Sequence, residues 1–322
     1  MLYLNHQQLE IGFERLVLKL RSRFAPSPTG PLHMGSLATA LGSYLHARHY
    51  GGAWLIRIDD IDQARAVKNM DREILECLDA HLLQADEPVY YSAQHSADYK
   101  AQLEQLVSKR VVFRCSCSRR DIKDHFRQHP DETPVYPGFC RDAPAADKPI
   151  RSYRARVDSR LIQFEDAIQG FQSERLAESV GDFVICGARQ NYNYQLATVV
   201  DDHLQQISHV VRGADLINST ARQIYLQQLL GLSTPVYMHL PVVVDQAGQK
   251  LSKQQGAEPV DRRSVRNNLR IALTLLGQPL PKEAFRVTPQ TLLAEAIENW
   301  TSEPLTGVEK VMTKGNKICS PM

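Results

Sequence analysis

Arg23-Phe24-Ala25-Pro26-Ser27-Pro28-Thr29-Gly30, followed closely by His33-Met34-Gly35-Ser36, decides how this 322-residue chain folds. The prolines and glycine make an irregular loop. Beyond it Leu37, Ala40, Leu41, Tyr44 and Leu45 recur at helical spacing until Gly51-Gly52 closes the helix. His33 and the bare backbone of Gly35 therefore stand at the start of an amphipathic helix, where backbone N–H groups and the helix dipole can receive phosphate. Trp54, Ile56 and Ile58 then alternate with Leu55, Arg57 and Asp59, a strand whose carboxyl end delivers Asp59, Asp60 and Asp62. Strand, loop, helix, strand opens a doubly wound α/β fold with a parallel sheet, in which ligands collect at the carboxyl ends of the strands. Arg23, His33 and Asp59 are thus expected to converge on one crevice.

Composition bounds what such a crevice can serve. Hydrophobic residues at 43% and charged residues at 23% describe an ordinary water-soluble chain, long enough for two or three compact units. A net charge of +2 neither supports nor excludes a nucleic-acid partner. No apolar run approaches the roughly 20 residues of a membrane span and no secretory pattern opens the chain, so a cytoplasmic protein without a membrane partner is expected. Six cysteines of irregular spacing do not make a secreted disulfide framework.

Residues 1–22 read as an N-terminal extension, a helix leading into a strand that begins near Leu18. Residues 23–112 read as the first half of the Rossmann domain, helical from about Arg72 to Val111 with an interruption at Pro88-Val89-Tyr90-Tyr91. Short strands and irregular loops over 113–190 suggest an inserted α/β domain. The Rossmann pattern is expected to return over 191–259, at Tyr194 to Asp202 and again at Ile207 to Arg212. There Asn218 or Ser219 would cap a helix that Gly231 ends, and Pro241-Val242-Val243-Val244 is a further strand. Residues 260–322 read as a short, mostly helical region.

A second peptide, Lys250-Leu251-Ser252-Lys253-Gln254, puts two ammonium groups on a short loop beyond that last strand. Facing His33 across a nucleotide, Lys250 and Lys253 would neutralise a triphosphate while a nucleophile attacks its α-phosphorus, because negative charge builds on the departing pyrophosphate.

Together these two peptides resemble the HIGH and KMSKS signatures of class I aminoacyl-tRNA synthetases, and Arg23 to Gly35 resembles the opening motif of the glutamyl and glutaminyl branch. The resemblance runs from about Arg23 to Gln254. It implies ATP, with Mg²⁺, as substrate; His33 and Lys253 as phosphate ligands; Gly35 as the place where adenine approaches the backbone; and Lys250 as a second part of the clamp. It also implies an amino-acid pocket in which Arg23 and Arg212 read a glutamate side-chain carboxylate, Tyr194 stands beside them, and Ser27 and Asp59 hold the α-ammonium. Two guanidinium groups suit a carboxylate better than the neutral amide of glutamine. Asp59 departs from the glutamate usual in the family, one methylene longer.

Cys115-Ser116-Cys117, with Cys140 downstream, is a pattern for one structural zinc. The fourth ligand is open among Tyr136, His125 and His129: zinc chemistry at large favours a histidine, whereas Tyr136-Pro137-Gly138-Phe139-Cys140 resembles the zinc site of the glutamyl-Q-tRNA(Asp) synthetases, in which the tyrosine completes the shell. Cys77, Cys186 and Cys319 read as core or surface thiols. Only 68 residues follow Gln254, too few for the anticodon-binding domains of glutamyl- or glutaminyl-tRNA synthetases. The same truncated branch is therefore expected, which attaches glutamate to the queuosine base in the anticodon of tRNA(Asp), here acting as a monomer. The alternatives are a conventional glutamyl-tRNA synthetase core, a non-catalytic tRNA-binding relative, and an enzyme charging a free small molecule.

Overall fold

The computed structural model describes residues 19–131, 134–251 and 257–313. Lys253, Cys319 and most of the N-terminal extension lie outside the described residues.

The chain enters through β1 (Arg21–Phe24), crosses the Pro26–Gly30 loop into α1 (Met34–His49) and returns in β2 (Ala53–Ile58). There follow α2 (Met70–Ala80), β3 (Tyr90–Tyr91), α3 (Ser96–Ser108), β4 (Val112–Cys115), α4 (Arg119–Gln128), β5 (Ser152–Ala155), β6 (Leu161–Asp166) and β7 (Gly170–Arg175). A short α5 (Leu176–Ser179) leads to β8 (Val184–Gly187), α6 (Tyr194–Leu204), β9 (His209–Gly213), α7 (Ile217–Leu230), β10 (Val236–Leu240) and β11 (Val242–Val244). Then come α8 (Val265–Leu275), α9 (Pro289–Glu298) and β12 (Lys310–Met312).

Seven strands form the main sheet in the order β3-β2-β1-β9-β10-β6-β7, parallel throughout except that β7 runs back along β6. Alternation along each strand feeds two cores. Trp54, Ile56, Ile58, Val211 and Met238 point to the side covered by α1, α8 and α9, while Ala53, Leu55, Val210 and Tyr237 point to the side covered by α3, α6 and α7. Because α1 is wedged between the sheet and α8 and α9, it is buried on nearly every side from Met34 to Ala47 and is not the one-faced helix its spacing suggested.

Three other expectations change. Tyr194 to Asp202 is helix, started by the Asn193 side chain accepting from the Gln195 N–H at 3.1 Å, and only the second Rossmann segment is strand. Asn218 and Ser219 lie inside α7, which follows a short 3₁₀ turn at Ala214–Leu216. The segment read as one insertion divides: β4, β5 and β8 make a separate antiparallel sheet beside α4, but β6 and β7 extend the main sheet. Towards the C-terminus β12 adds a strand to the helices by pairing in parallel with β11. Among the described residues no helix is long and apolar enough to cross a membrane.

Candidate functional site

At the carboxyl ends of β1 and β9 a cavity of about 250 Å³ is lined by Arg23, Ser27, His33, Gly35, Tyr194, Arg212 and Lys250. Asp59 lines an adjoining cavity of about 600 Å³, which shares Ser27 and Tyr194 with the first. The fold thus gathers most of the expected site and sets Asp59 one compartment away, on a backbone anchored by its N–H to the Pro26 carbonyl at 3.0 Å. Burial, with Asp201 and Asp60 nearby, pushes the Asp59 carboxyl up to about 6, although Arg57 and Arg23 pull the other way.

His33 caps α1 from an extended backbone, and its Nδ1 accepts from the Ser36 N–H at 3.3 Å. A neutral imidazole that accepts at Nδ1 carries its proton on Nε2, so capping leaves a donor. Gly35 serves that ring directly. A Cβ there would stand 3.2 Å from the imidazole and 3.3 Å from Val243 Cβ, tighter than ordinary contact. Lys250 returns beside Val244 after a turn in which the Asp245 carboxylate accepts from the N–H groups of Ala247 and Gln249. Its ammonium reaches Asp215 at 2.5 Å across the cavity mouth.

The two arginines expected to share one task are held differently. Arg23 meets Asp202 of α6 through Nε at 2.9 Å and a terminal nitrogen at 3.3 Å, and Arg57 donates to the same carboxylate at 2.7 Å. Burial opposes a charge on Asp202, but the two guanidinium groups outweigh it and bring its carboxyl down to about 2. Arg212, only 4% exposed, instead donates to His239 Nε2 at 3.0 Å, to Gln223 Oε1 at 2.8 Å and to Thr220 Oγ1 at 2.9 Å. Among the described residues none of its partners within ion-pair distance is a carboxylate: Asp202 is taken by Arg23 and Arg57, and Asp215 by Lys250.

In the small sheet Cys115, Cys117 and Cys140 bring their sulfurs within 4.8 Å of one another. The Tyr136 hydroxyl lies 3.4 Å from Cys115 Sγ and 3.5 Å from Cys117 Sγ, and accepts from the Cys140 N–H at 3.0 Å. The cluster holds neither His125 nor His129; their rings lie tilted against each other, and that of His125 meets Phe139 edge-on. Burial works against ionising Cys140, yet hydrogen bonds involving Ser116 and Tyr136 outweigh it and bring the thiol down to about 6. Zinc at about 2.3 Å from sulfur has ligand-to-ligand edges of about 3.8 Å, so three sulfurs and a phenol oxygen at these separations fit that ion.

The model of the tRNA synthetases class I (E and Q), catalytic domain, matches residues 19–277. The chain belongs to that family of ligases. It is 46% identical over 285 residues to a protein of Burkholderia cenocepacia named glutamyl-Q tRNA(Asp) synthetase, covering 87% of this chain and 95% of that one. To the protein of the same name from Cupriavidus metallidurans it is 48% identical over 265 residues, 80% of this chain and 85% of that one. Among solved structures, the glutamate-tRNA synthetase of Elizabethkingia anophelis superposes with a TM-score of 0.75 at 25% identity, over 91% of this chain and 67% of that one.

For a class I synthetase of this branch, sequence motifs lead to the cavity lining but not to what stands behind it. Arg57, Thr220, Gln223, His239 and Asp166 were not singled out, and Asp202 only as one of two carboxylates that could pair with Arg212, whereas the structure pairs it with Arg23 and Arg57. Arg57 carried a usable signal, since a charge inside a buried strand demands a partner. The others carried none.

Proposed function

We propose that this synthetase activates L-glutamate with ATP and transfers it to the queuosine base in the anticodon of tRNA(Asp). One oxygen of the glutamate α-carboxylate attacks the α-phosphorus, the bond to the β-phosphate oxygen breaks, and pyrophosphate leaves with Mg²⁺. A hydroxyl of the acceptor then attacks the acyl carbon and AMP departs. His33 Nε2–H, Lys250 and Lys253 stabilise the charge that gathers on pyrophosphate, Ser27 and Asp59 hold the α-ammonium, and Tyr194 flanks the substrate.

The observation that carries the choice of amino acid is Arg212, a buried cation facing the cavity whose hydrogen-bond partners among the described residues include no carboxylate. Such a charge is costly until an anion meets it, and glutamate brings one where glutamine does not. The names of relatives at 46–48% identity support this acceptor. In the small sheet Cys115, Cys117, Cys140 and Tyr136 would hold one zinc, a structural ion with every position filled by protein.

Radiolabelled glutamate tests the acceptor. With ATP, label is expected on tRNA(Asp) from queuosine-containing cells, mapped by nuclease digestion to the anticodon, and absent from the same tRNA lacking queuosine. Label at the 3′ end of tRNA(Glu) would replace this reading with the conventional charging reaction.

A further inference from the structure

Behind Arg212 lies a buried chain of polar groups that no motif assigns. Asp166, His239 and Arg212 stand on three neighbouring strands, β6, β10 and β9. Register sets them side by side, with His239 opposite Arg212 and Tyr237 opposite Asp166. Alternation puts Arg212 and His239 on the sheet face covered by α7, which supplies Thr220 and Gln223. His239 is 0% and Asp166 2% exposed.

The hydrogen bonds have a fixed direction. Arg212 Nε has only a proton to give, so His239 Nε2 must accept at 3.0 Å, and the single ring proton sits on Nδ1, donated to Asp166 Oδ2 at 2.6 Å. The Asp166 carboxylate is itself pinned, Oδ1 accepting from the N–H groups of Ile168, Gln169 and His239 at 3.1, 2.8 and 3.1 Å. Thr220 Oγ1 accepts from Arg212 and, 3.3 Å from His239 Nε2, can donate to it. Burial and the neighbouring Arg212 cation keep the His239 pKa below its ordinary value against the pull of Asp166, which agrees with a neutral ring.

We infer that Asp166 and His239 are positioning residues: they orient the Arg212 guanidinium for a substrate carboxylate while keeping the Asp166 carboxylate one imidazole away from it. The inference rests on the reading of Arg212 proposed above. A carboxylate placed directly on Arg212 would orient it equally well but would form an ion pair with it, as Asp202 does with Arg23. The interposed imidazole transmits position without transmitting a full negative charge. It also makes β6, from within the segment read as an insertion, part of the support behind the amino-acid pocket.

Asp166→Asn tests this with almost no change of shape. The amide oxygen must face the three backbone donors, so its NH₂ faces His239 Nδ1, moving the ring proton to Nε2 and against the Arg212 Nε–H; a wrong tautomer imposed by this replacement is a known route to lost function. In glutamate-dependent ATP–pyrophosphate exchange the KM for glutamate is expected to rise roughly ten- to a hundredfold, the scale of one lost hydrogen bond to a charged group, with the KM for ATP unchanged. An unchanged glutamate KM overturns the inference, as does an equal rise for both substrates, the mark of a general loss of fold. On the wild-type protein, ¹⁵N NMR of the histidine-labelled full chain, with His239 assigned by its absence in His239→Gln, should show Nδ1 protonated and Nε2 bare; a proton on Nε2 overturns it. Wild-type protein lacking glutamate-dependent exchange would instead break the underlying reading of the pocket, with the tautomer still measurable.

Discussion

The two walls of the cavity solve one problem in opposite ways. On β1 a buried guanidinium, Arg23, is closed by a carboxylate that also serves Arg57; on β9 an equally buried guanidinium, Arg212, is closed by an imidazole, an amide and a hydroxyl. The first wall sets its two cations against protein carboxylates before any ligand arrives, Asp202 between both and Asp201 at 3.7 Å from Arg57. The second is geometrically complete but carries charge that a ligand must meet. On the function proposed above, selectivity for an acidic side chain would belong to the second, and the first would hold the floor of the site in place.

Removing each arginine is the strongest way to break this comparison. Arg212→Ala should cut glutamate-dependent exchange by roughly a hundredfold or more, the scale of an uncompensated buried charge, with the melting temperature little changed. Arg23→Ala should also lose activity but lower the melting temperature, because Asp202 is left in the interior with Arg57 alone. Equal effects of the two on both readings would erase the distinction.

A third region sharpens it by independence. Cys115→Ser or Cys140→Ser should take zinc content, by elemental analysis of protein purified without chelator, from about one per chain towards none and destabilise the small sheet. Exchange should persist, since the nucleotide motifs lie in the other sheet. Metal-free wild-type protein that is folded and active would remove zinc from the account.

A smaller effect concerns the compartment next door. Asp59 must be ionised to hold an ammonium group, and its carboxyl is raised to about 6 by burial. For kcat/KM, which reports the free enzyme, activity with glutamate should therefore rise with pH through about 6 and fall about tenfold per unit below it. Asp59→Asn should lower activity and flatten that limb; a limb that survives in the variant belongs to another group. Smallest of all, Gly35→Ala should cost exchange only a few-fold, as the His33 ring shifts by the few tenths of an ångström that a methyl 3.2 Å away demands; an intact rate would show that the ring has room.

What was legible in the sequence is what local patterning encodes. The loop from Arg23 to Gly35, α1 and β2 follow from proline, glycine and apolar spacing within forty residues, and they bring His33 and Arg23 to one crevice. Helix α6 was missed because Val199 and Val200 read as strand while the decisive signal, the Asn193 cap, is a single residue. Which sheet β6 and β7 join is a matter of long-range pairing that no window contains. Asp166 and His239 meet across 73 residues of chain, and the partners of Arg212 come from a third element. Motifs mark the residues that touch a substrate; those that hold them in place are specified only by the assembled sheet.

The most direct test of the central claim is a crystal structure with L-glutamate bound. The side-chain carboxylate is expected at hydrogen-bonding distance, about 2.8 Å, from the Arg212 guanidinium, with the Arg23–Asp202 and His239–Arg212 contacts unbroken. A glutamate whose side chain points away from Arg212, or an Arg212 found to have turned to a protein carboxylate, would contradict it.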